Sequence, residues 1–299
     1  MNVDMPSSLL ADLSQRIETW MGLFFPPDRW ADLLRKLDAA APAFGCDDAE
    51  ACAHLLTASV VSKKQIELLA TYLTVGETYF FREPRSFEVL EQEILPPLIQ
   101  ERRNDARRLR FWSAACCTGE EPYSIAMLLH RLLPDLAAWK TDILATDISP
   151  RFLCKAAEGV YGQWSFRSIS PAVQAQHFRQ TPKGLYAISS ALKKMVSFTQ
   201  LNLVEDVYPS PTNNTTGIDI VFCRNVLIYF TAQRIRRILT QLYQALNEGG
   251  WLIVSPVETA FAMDSPFTTV QFPGVTLFRK GSVQTESLFS VNSVFMFSP

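Results

Sequence analysis

Two adjacent acids, Glu120 and Glu121, sit in WSAACCTGEEPYS (112–124), where an apolar run gives way to small residues, Gly119 and a helix-forming stretch. With LRFWSAA (109–115) as a strand, that loop lies at the crevice where doubly wound sheets bind cofactors. Its small residues let backbone approach a ligand closely. It lacks GxGxxG, however, and two carboxylates at a helix mouth would repel a pyrophosphate. They suit a cationic group such as an amine, which points away from a dinucleotide and towards a nucleoside bearing an amino acid. Taken alone, the pair has a plainer use in complementing the helix dipole. Asp147 stands 26 residues beyond Glu121 at the end of TDILATD (141–147), where an acid commonly accepts hydrogen bonds from ribose hydroxyls. It could equally cap the helix that begins at Ser149-Pro150. The third group, Arg224, Asn225 and Tyr229 in CRNVLIYF (223–230), follows the strand GIDIVFC and faces the same crevice, unless it is an ordinary loop arginine and a core tyrosine.

Other chemistries find little support. The six cysteines form no CxxC pair, vicinal Cys116 and Cys117 read as small packing residues, and the three histidines are scattered, so no metal is expected. The formal net charge of -2 argues against a protein that holds nucleic acid by its phosphates. Arg102, Arg103, Arg107, Arg108 and Arg110 read as a solvated helix end and linker. The start MNVDMPSSLL lacks the basic and apolar regions of a secretory signal, and no apolar run reaches the ~18 residues of a membrane helix. A cytoplasmic protein with reduced thiols is expected. Its 299 residues, 48% hydrophobic and 19% charged, are enough for two packed domains.

The elements that position these residues follow from periodicity. Leu10, Leu13, Ile17 and Trp20 recur at helical spacing, as do Trp30, Leu33, Leu34 and Leu37, and then Ile66, Leu69, Ala70 and Leu73. Four short helices are predicted in residues 1–75, the last opened by a Ser62/Gln65 capping box. Pro84 opens a helix that Pro96-Pro97 should kink or end, within a linker at 76–107. From 108 to 280 strands and helices alternate, which predicts an α/β fold, a doubly wound, mostly parallel sheet. TTVQF and VTLFRK predict an antiparallel terminal hairpin, residues 160–198 a small inserted antiparallel β-subdomain, and 281–299 a tail or linker.

TVGETYFFREPRSF (74–87), FWSAACCTGEEPYSIAMLL (111–129), ILATDIS (143–149), FTQLNL (198–203) and DIVFCRNVLIYF (219–230) occur in that order. Together they resemble the chemotaxis receptor methyltransferases, the CheR family, across roughly residues 10–280. The resemblance implies a helical N-terminal domain, a linker contributing to the cofactor site, and a class I methyltransferase domain using S-adenosylmethionine without a metal. It places cofactor contacts on Gly76, Thr78 and Arg82, on Glu120 or Glu121, on Asp147 at the ribose, on Asn202 and Leu203 near adenine, and on Arg224 and Asn225. Relatives often carry Asn where Gly76 stands. Arg82 and Tyr229 match the positions nearest the methyl transfer.

The implied activity is conversion of glutamates on the cytoplasmic helices of methyl-accepting chemoreceptors into methyl esters for sensory adaptation. The implied enzyme is a monomer that meets the membrane only through its receptor and binds no nucleic acid. In the family, basic residues of the N-terminal domain approach the acidic receptor helices; here the candidates are Arg29, Arg35, Lys36, Lys63 and Lys64. Whether the inserted subdomain grips a receptor tail is left open, as is whether the chain is a short member or a piece of one with C-terminal repeats. Two other readings remain at this point: a methyltransferase acting on RNA or a small molecule, and a non-catalytic cofactor-binding signalling module.

Overall fold

The computed structural model describes residues 5–104 and 106–281, so all but the first residue of the expected tail lies outside it. Four helices open the chain: α1 (Ser7–Met21), α2 (Trp30–Ala40), α3 (Ala49–Ala58) and α4 (Lys63–Leu73). Their apolar stripes, including Leu13, Ile17, Leu33, Leu37, Leu56 and Leu69, close into one core. The expected capping box forms, with Ser62 and Gln65 each satisfying the other's backbone N–H at the start of α4. Gly22 ends α1 in the left-handed region at φ 74°, and a Cβ there would sit 2.4 Å from Val204 Cγ2. Only glycine lets this bundle approach the sheet so closely.

Residues 84–103 form α5 (Pro84–Val89), a π-turn (Leu90–Ile94) and α6 (Leu95–Arg103). The two prolines therefore do not end the helix. The wider π-turn precedes them and leaves them in the first turn of α6, where their missing N–H groups cost nothing. This segment is more than a linker: Phe87, Leu90, Leu95 and Ile99 are buried in the core on one face of the main sheet.

The main sheet contains β1 (Arg108–Ala114), β2 (Lys140–Asp147), β6 (Val196–Gln200), β7 (Ile218–Cys223), β8 (Leu246–Ile253), β9 (Thr268–Phe272) and β10 (Val275–Arg279). Their order is β6-β2-β1-β7-β8-β10-β9, parallel except for the terminal hairpin, as expected. Alternate residues feed opposite cores: Phe111, Ile143 and Phe222 point to one, Trp112, Leu144 and Val221 to the other. The first core is covered by α5, α6 and α7 (Glu120–Leu132), the second by α11 (Ala232–Ala245), with α12 (Thr259–Met263) at its end. Helix α8 (Pro150–Glu158) follows β2.

Between α8 and β6 lies the insertion: β3 (Val160–Tyr161), α9 (Pro171–His177), β4 (Phe178–Gln180), β5 (Tyr186–Ile188) and α10 (Ser190–Lys193). Its sheet, β3-β5-β4, is antiparallel as expected. The expected range of 160–198 runs too far, because Val196–Gln200 pairs in parallel with β2 as an edge of the main sheet. A short β-branched and aromatic run suits either sheet; only the register with Ile143–Asp147 decides. Because β1 pairs with β2 on one side and β7 on the other, the switch point opens beyond Ala114, Asp147 and Cys223.

Candidate active site

A cavity occupies that switch point. Its floor is the loops after β1, β2 and β7, and its roof is the N-terminal segment containing Met21, Phe25 and Arg29. The loop after β1 is tightly shaped: Ala115 and Cys117 are non-glycine residues at φ 62° and 50°. Such backbone persists only where surrounding bonds hold it. Here Cys116 N–H donates to Thr146 O at 2.8 Å, and Cys117 N–H to Asp147 Oδ2 at 2.9 Å. Burial pushes the Cys117 thiol up to about 12 and Cys116 well above its usual value, so neither supplies a thiolate at neutral pH.

The two acids of TGEEP diverge. Glu121 lines the cavity, while Glu120 turns away to accept from Thr118 Oγ1 at 2.6 Å and Ser165 Oγ at 2.9 Å, tying α7 to the insertion. Consecutive helical residues point about 100° apart, so only one of the pair can face the crevice. Glu121 accepts from Ser113 Oγ at 2.6 Å and from Arg224 Nη1 at 3.2 Å. Burial raises its pKa, and the Arg224 guanidinium opposes the rise. Arg224 also bridges Glu83 Oε2 at 2.8 Å and the Arg82 carbonyl at 2.5 Å. Among the described residues its Nε–H is buried without a partner.

Asp147 lines the cavity and is almost fully buried. Desolvation lifts its pKa from 3.8 to about 6, against the pull of backbone N–H groups from Ser149, Cys117 and Ile148. The cap of α8 is Ser149, whose side chain accepts from Phe152 N–H, so the plainer use of Asp147 as helix cap does not hold. Asn202 and Leu203 also line the cavity, but the Asn202 amide is already engaged: Nδ2 donates to Trp20 O at 2.7 Å and Oδ1 accepts from Val204 N–H at 3.0 Å. The residue fastens α1 to the sheet edge.

Gly76 lies behind the cavity wall. A Cβ there would fall 2.8 Å from Phe152 Cζ, and it is the Phe152 ring that lines the cavity. Thr78, Arg82, Asn225 and Tyr229 line it too. Arg82 Nη1 donates to Glu77 O at 2.8 Å. Burial raises the Tyr229 pKa while Arg29 and Arg82 pull it down, and the phenol stays protonated at neutral pH. Of the basic residues expected to meet an acidic partner, Arg29 and Lys36 line the cavity, Arg35 pairs with Asp32 at 2.5 Å, and Lys63 sits 3.5 Å from Asp206. Lys64 is exposed. Arg29 and Lys36 also lie 3.5 and 4.0 Å from Asp32, so three of the five cations gather around that one carboxylate.

Glu258 was not among the expected residues. Fully buried, it accepts from the N–H groups of Asn225, Val226 and Leu227 at 2.7–2.8 Å and from Ser255 Oγ at 2.5 Å. This one carboxylate sets the turn carrying Arg224, Asn225 and Tyr229, in which Asn225 adopts φ 58°. The SPVE capping box at 255–258 was the available signal. Phe24 adds a second unforeseen tie, donating its N–H to Tyr229 O at 2.9 Å. Among the described residues no helix is long and apolar enough to cross a membrane.

The family model described as "CheR methyltransferase, SAM binding domain" matches residues 76–275. Chemotaxis protein methyltransferase 1 of Pseudomonas aeruginosa is 38% identical over 215 residues, covering 70% of this chain and 76% of that protein. Chemotaxis protein methyltransferase 2 of Vibrio cholerae is 32% identical, covering 73% of this chain and 74% of its own length. The chemotaxis protein methyltransferase of Borreliella burgdorferi is 33% identical, covering 69% and 72%. The matched range begins just before Thr78 and Arg82 and includes every other expected site residue.

Proposed function

The chain belongs to the CheR methyltransferase family, and from that premise we propose that it methylates glutamate side chains on the cytoplasmic helices of chemoreceptors, acting in the cytoplasm. The observation that carries this reading is that one cavity is lined together by Glu121, Asp147, Arg82 and Tyr229.

S-adenosylmethionine fits the groups present. Its ammonium suits Glu121 and its ribose diol suits Asp147, both of which line the cavity. Leu203, Ile148 and Phe152 offer apolar surface for adenine. When bound, the cofactor would supply a methyl group on a sulfonium, so that a new C–O bond would be balanced by loss of the C–S bond, whose electron pair would go to sulfur. A solvated glutamate, with a pKa near ~4.3, is already the nucleophile at neutral pH, so no general base is needed.

The work of the chain is alignment. Arg82 orients the carboxylate by a charge-assisted hydrogen bond, and the protonated Tyr229 hydroxyl donates to it. The interaction must stay modest, because an anion held equally well before and during transfer gains no rate. Residues 5–75 act as a helical domain that roofs the cavity and contributes Arg29 and Lys36 towards an acidic receptor helix.

The test is transfer of labelled methyl to receptor-containing membranes, with release as methanol in mild base. Arg82→Ala is expected to lower turnover about 100-fold and Tyr229→Phe about tenfold. Label that stays on the membranes after base treatment excludes the ester.

A further inference from the structure

We infer that Arg167, which lies in the insertion between β3 and α9, is a positioning residue that holds Arg82; this rests on the reading of Arg82 as the group that orients the substrate carboxylate. The Arg167 guanidinium lies over two aromatic rings, 3.5 Å from the Tyr79 centroid and 4.3 Å from that of Trp164. Its Nη1 donates to Trp164 O at 2.9 Å, and its Nη2 sits 3.5 Å from Glu77 Oε1. Arg82 leans on the same two residues: its Nη1 donates to Glu77 O at 2.8 Å, and its guanidinium lies 5.7 Å from the Tyr79 centroid.

The arrangement matters because Val75–Tyr79 belongs to no helix or strand. No regular backbone pairing holds the Glu77 carbonyl or the Tyr79 ring. The chain is pinned just beyond, where buried Phe80 donates its N–H to Ser165 O at 3.0 Å. Ser165 and Arg167 thus grip 77–80 from the insertion, Ser165 through backbone and Arg167 through Glu77 and Tyr79. A planar guanidinium can stack on two rings while reaching a carboxylate; an ammonium cannot. Glu120, which turns from the cavity to bond Ser165, anchors the same contact from α7.

Arg167→Ala and Arg167→Lys in the full chain test this with two readouts. Hydrogen exchange of the cofactor-free protein is expected to quicken about fivefold at residues 77–82 in both variants, with β1 and β2 unchanged. Turnover is expected to fall about tenfold, and the loss to vanish when Arg167→Ala is added to Arg82→Ala. Unchanged exchange at 77–82, or an equal loss in the Arg82→Ala background, overturns the inference. A parent chain that forms no methyl ester overturns the functional reading instead, and the exchange measurement still decides whether Arg167 holds this segment.

Discussion

Arg224 Nη1 and Glu121 Oε2 lie 3.2 Å apart, with side chains only 2% and 13% exposed. The pair explains how an acid can face an apolar cavity and remain available to an ammonium group. Removing Arg224 leaves a buried carboxylate without its cation, at a cost of about 3 kcal/mol. Arg224→Met is therefore expected to lower the melting temperature, raise the Glu121 pKa further and abolish S-adenosylhomocysteine binding in calorimetry at neutral pH. Arg224→Lys is expected to rescue little, because Arg224 reaches Glu83, Glu121 and the Arg82 carbonyl together through a fork that lysine lacks.

Glu120 and Glu121 are expected to separate in the same assay. Glu121→Gln removes the charge facing the cavity and lowers S-adenosylhomocysteine affinity about 30-fold. Glu120→Gln disturbs the contacts to Thr118 and Ser165, so thermal stability falls while affinity changes less than about threefold. Equal losses of affinity in the two variants would remove the distinction.

Asp147 predicts a pH dependence. Its pKa is raised on folding from 3.8 to about 6, so the folded chain keeps a proton that the unfolded chain releases. The contribution of this group is most favourable below pH 3.8 and is lost as pH rises through about 6, for a total of about 3 kcal/mol. Ribose hydroxyls donate best to the anion, so cofactor affinity runs the other way, rising with pH to a plateau above about 6. Calorimetry below that pH is expected to show proton release on binding. Asp147→Asn is expected to bind weakly and to remove the pH dependence; retention of the slope would assign it to another group.

Gly76 predicts a steric coupling. Gly76→Asn places its Cβ against the Phe152 ring, 2.8 Å from Cζ, and is expected to push that ring into the cavity and weaken cofactor binding. Adding Phe152→Ala is expected to recover at least part of the affinity. If the double variant binds no better than Gly76→Asn alone, the Phe152 ring is not what excludes a side chain here.

Glu258→Gln replaces an acceptor of several N–H bonds with an amide whose own NH2 must face donors. The expected cost is about 3 kcal/mol, read as a lower melting temperature, and it should come with lost turnover because Arg224, Asn225 and Tyr229 sit on the turn it holds. Full stability with full turnover would show that the turn is held without the charge.

Much of this molecule was legible in local pattern. Apolar periodicity is imposed by the buried faces of α1, α2 and α4, so the helices could be placed before any contact was known. The alternation from β1 to β10 reflects the same constraint in strands. The acids at the ends of β1 and β2 were readable because topology puts those ends at one crevice. Val196–Gln200 was misplaced because a short β-branched and aromatic strand carries no mark of which sheet will pair with it. The π-turn was missed because the extra residue it accommodates is not announced by residue type.

Residue types and spacing therefore determined the fold class and the list of polar groups that could meet a nucleoside bearing an amino acid. Tertiary structure decided which of them face the cavity and which are engaged elsewhere. It turned Glu121 inward and Glu120 towards Ser165, filled the space beside Gly76 with Phe152, engaged the Asn202 amide with Trp20, and brought in Glu258 from beyond β8. Each outcome depends on a partner between 31 and 182 positions away or on the direction of one side chain. Neither has a periodicity, and both appear only when the helices and the sheet close on the same cavity.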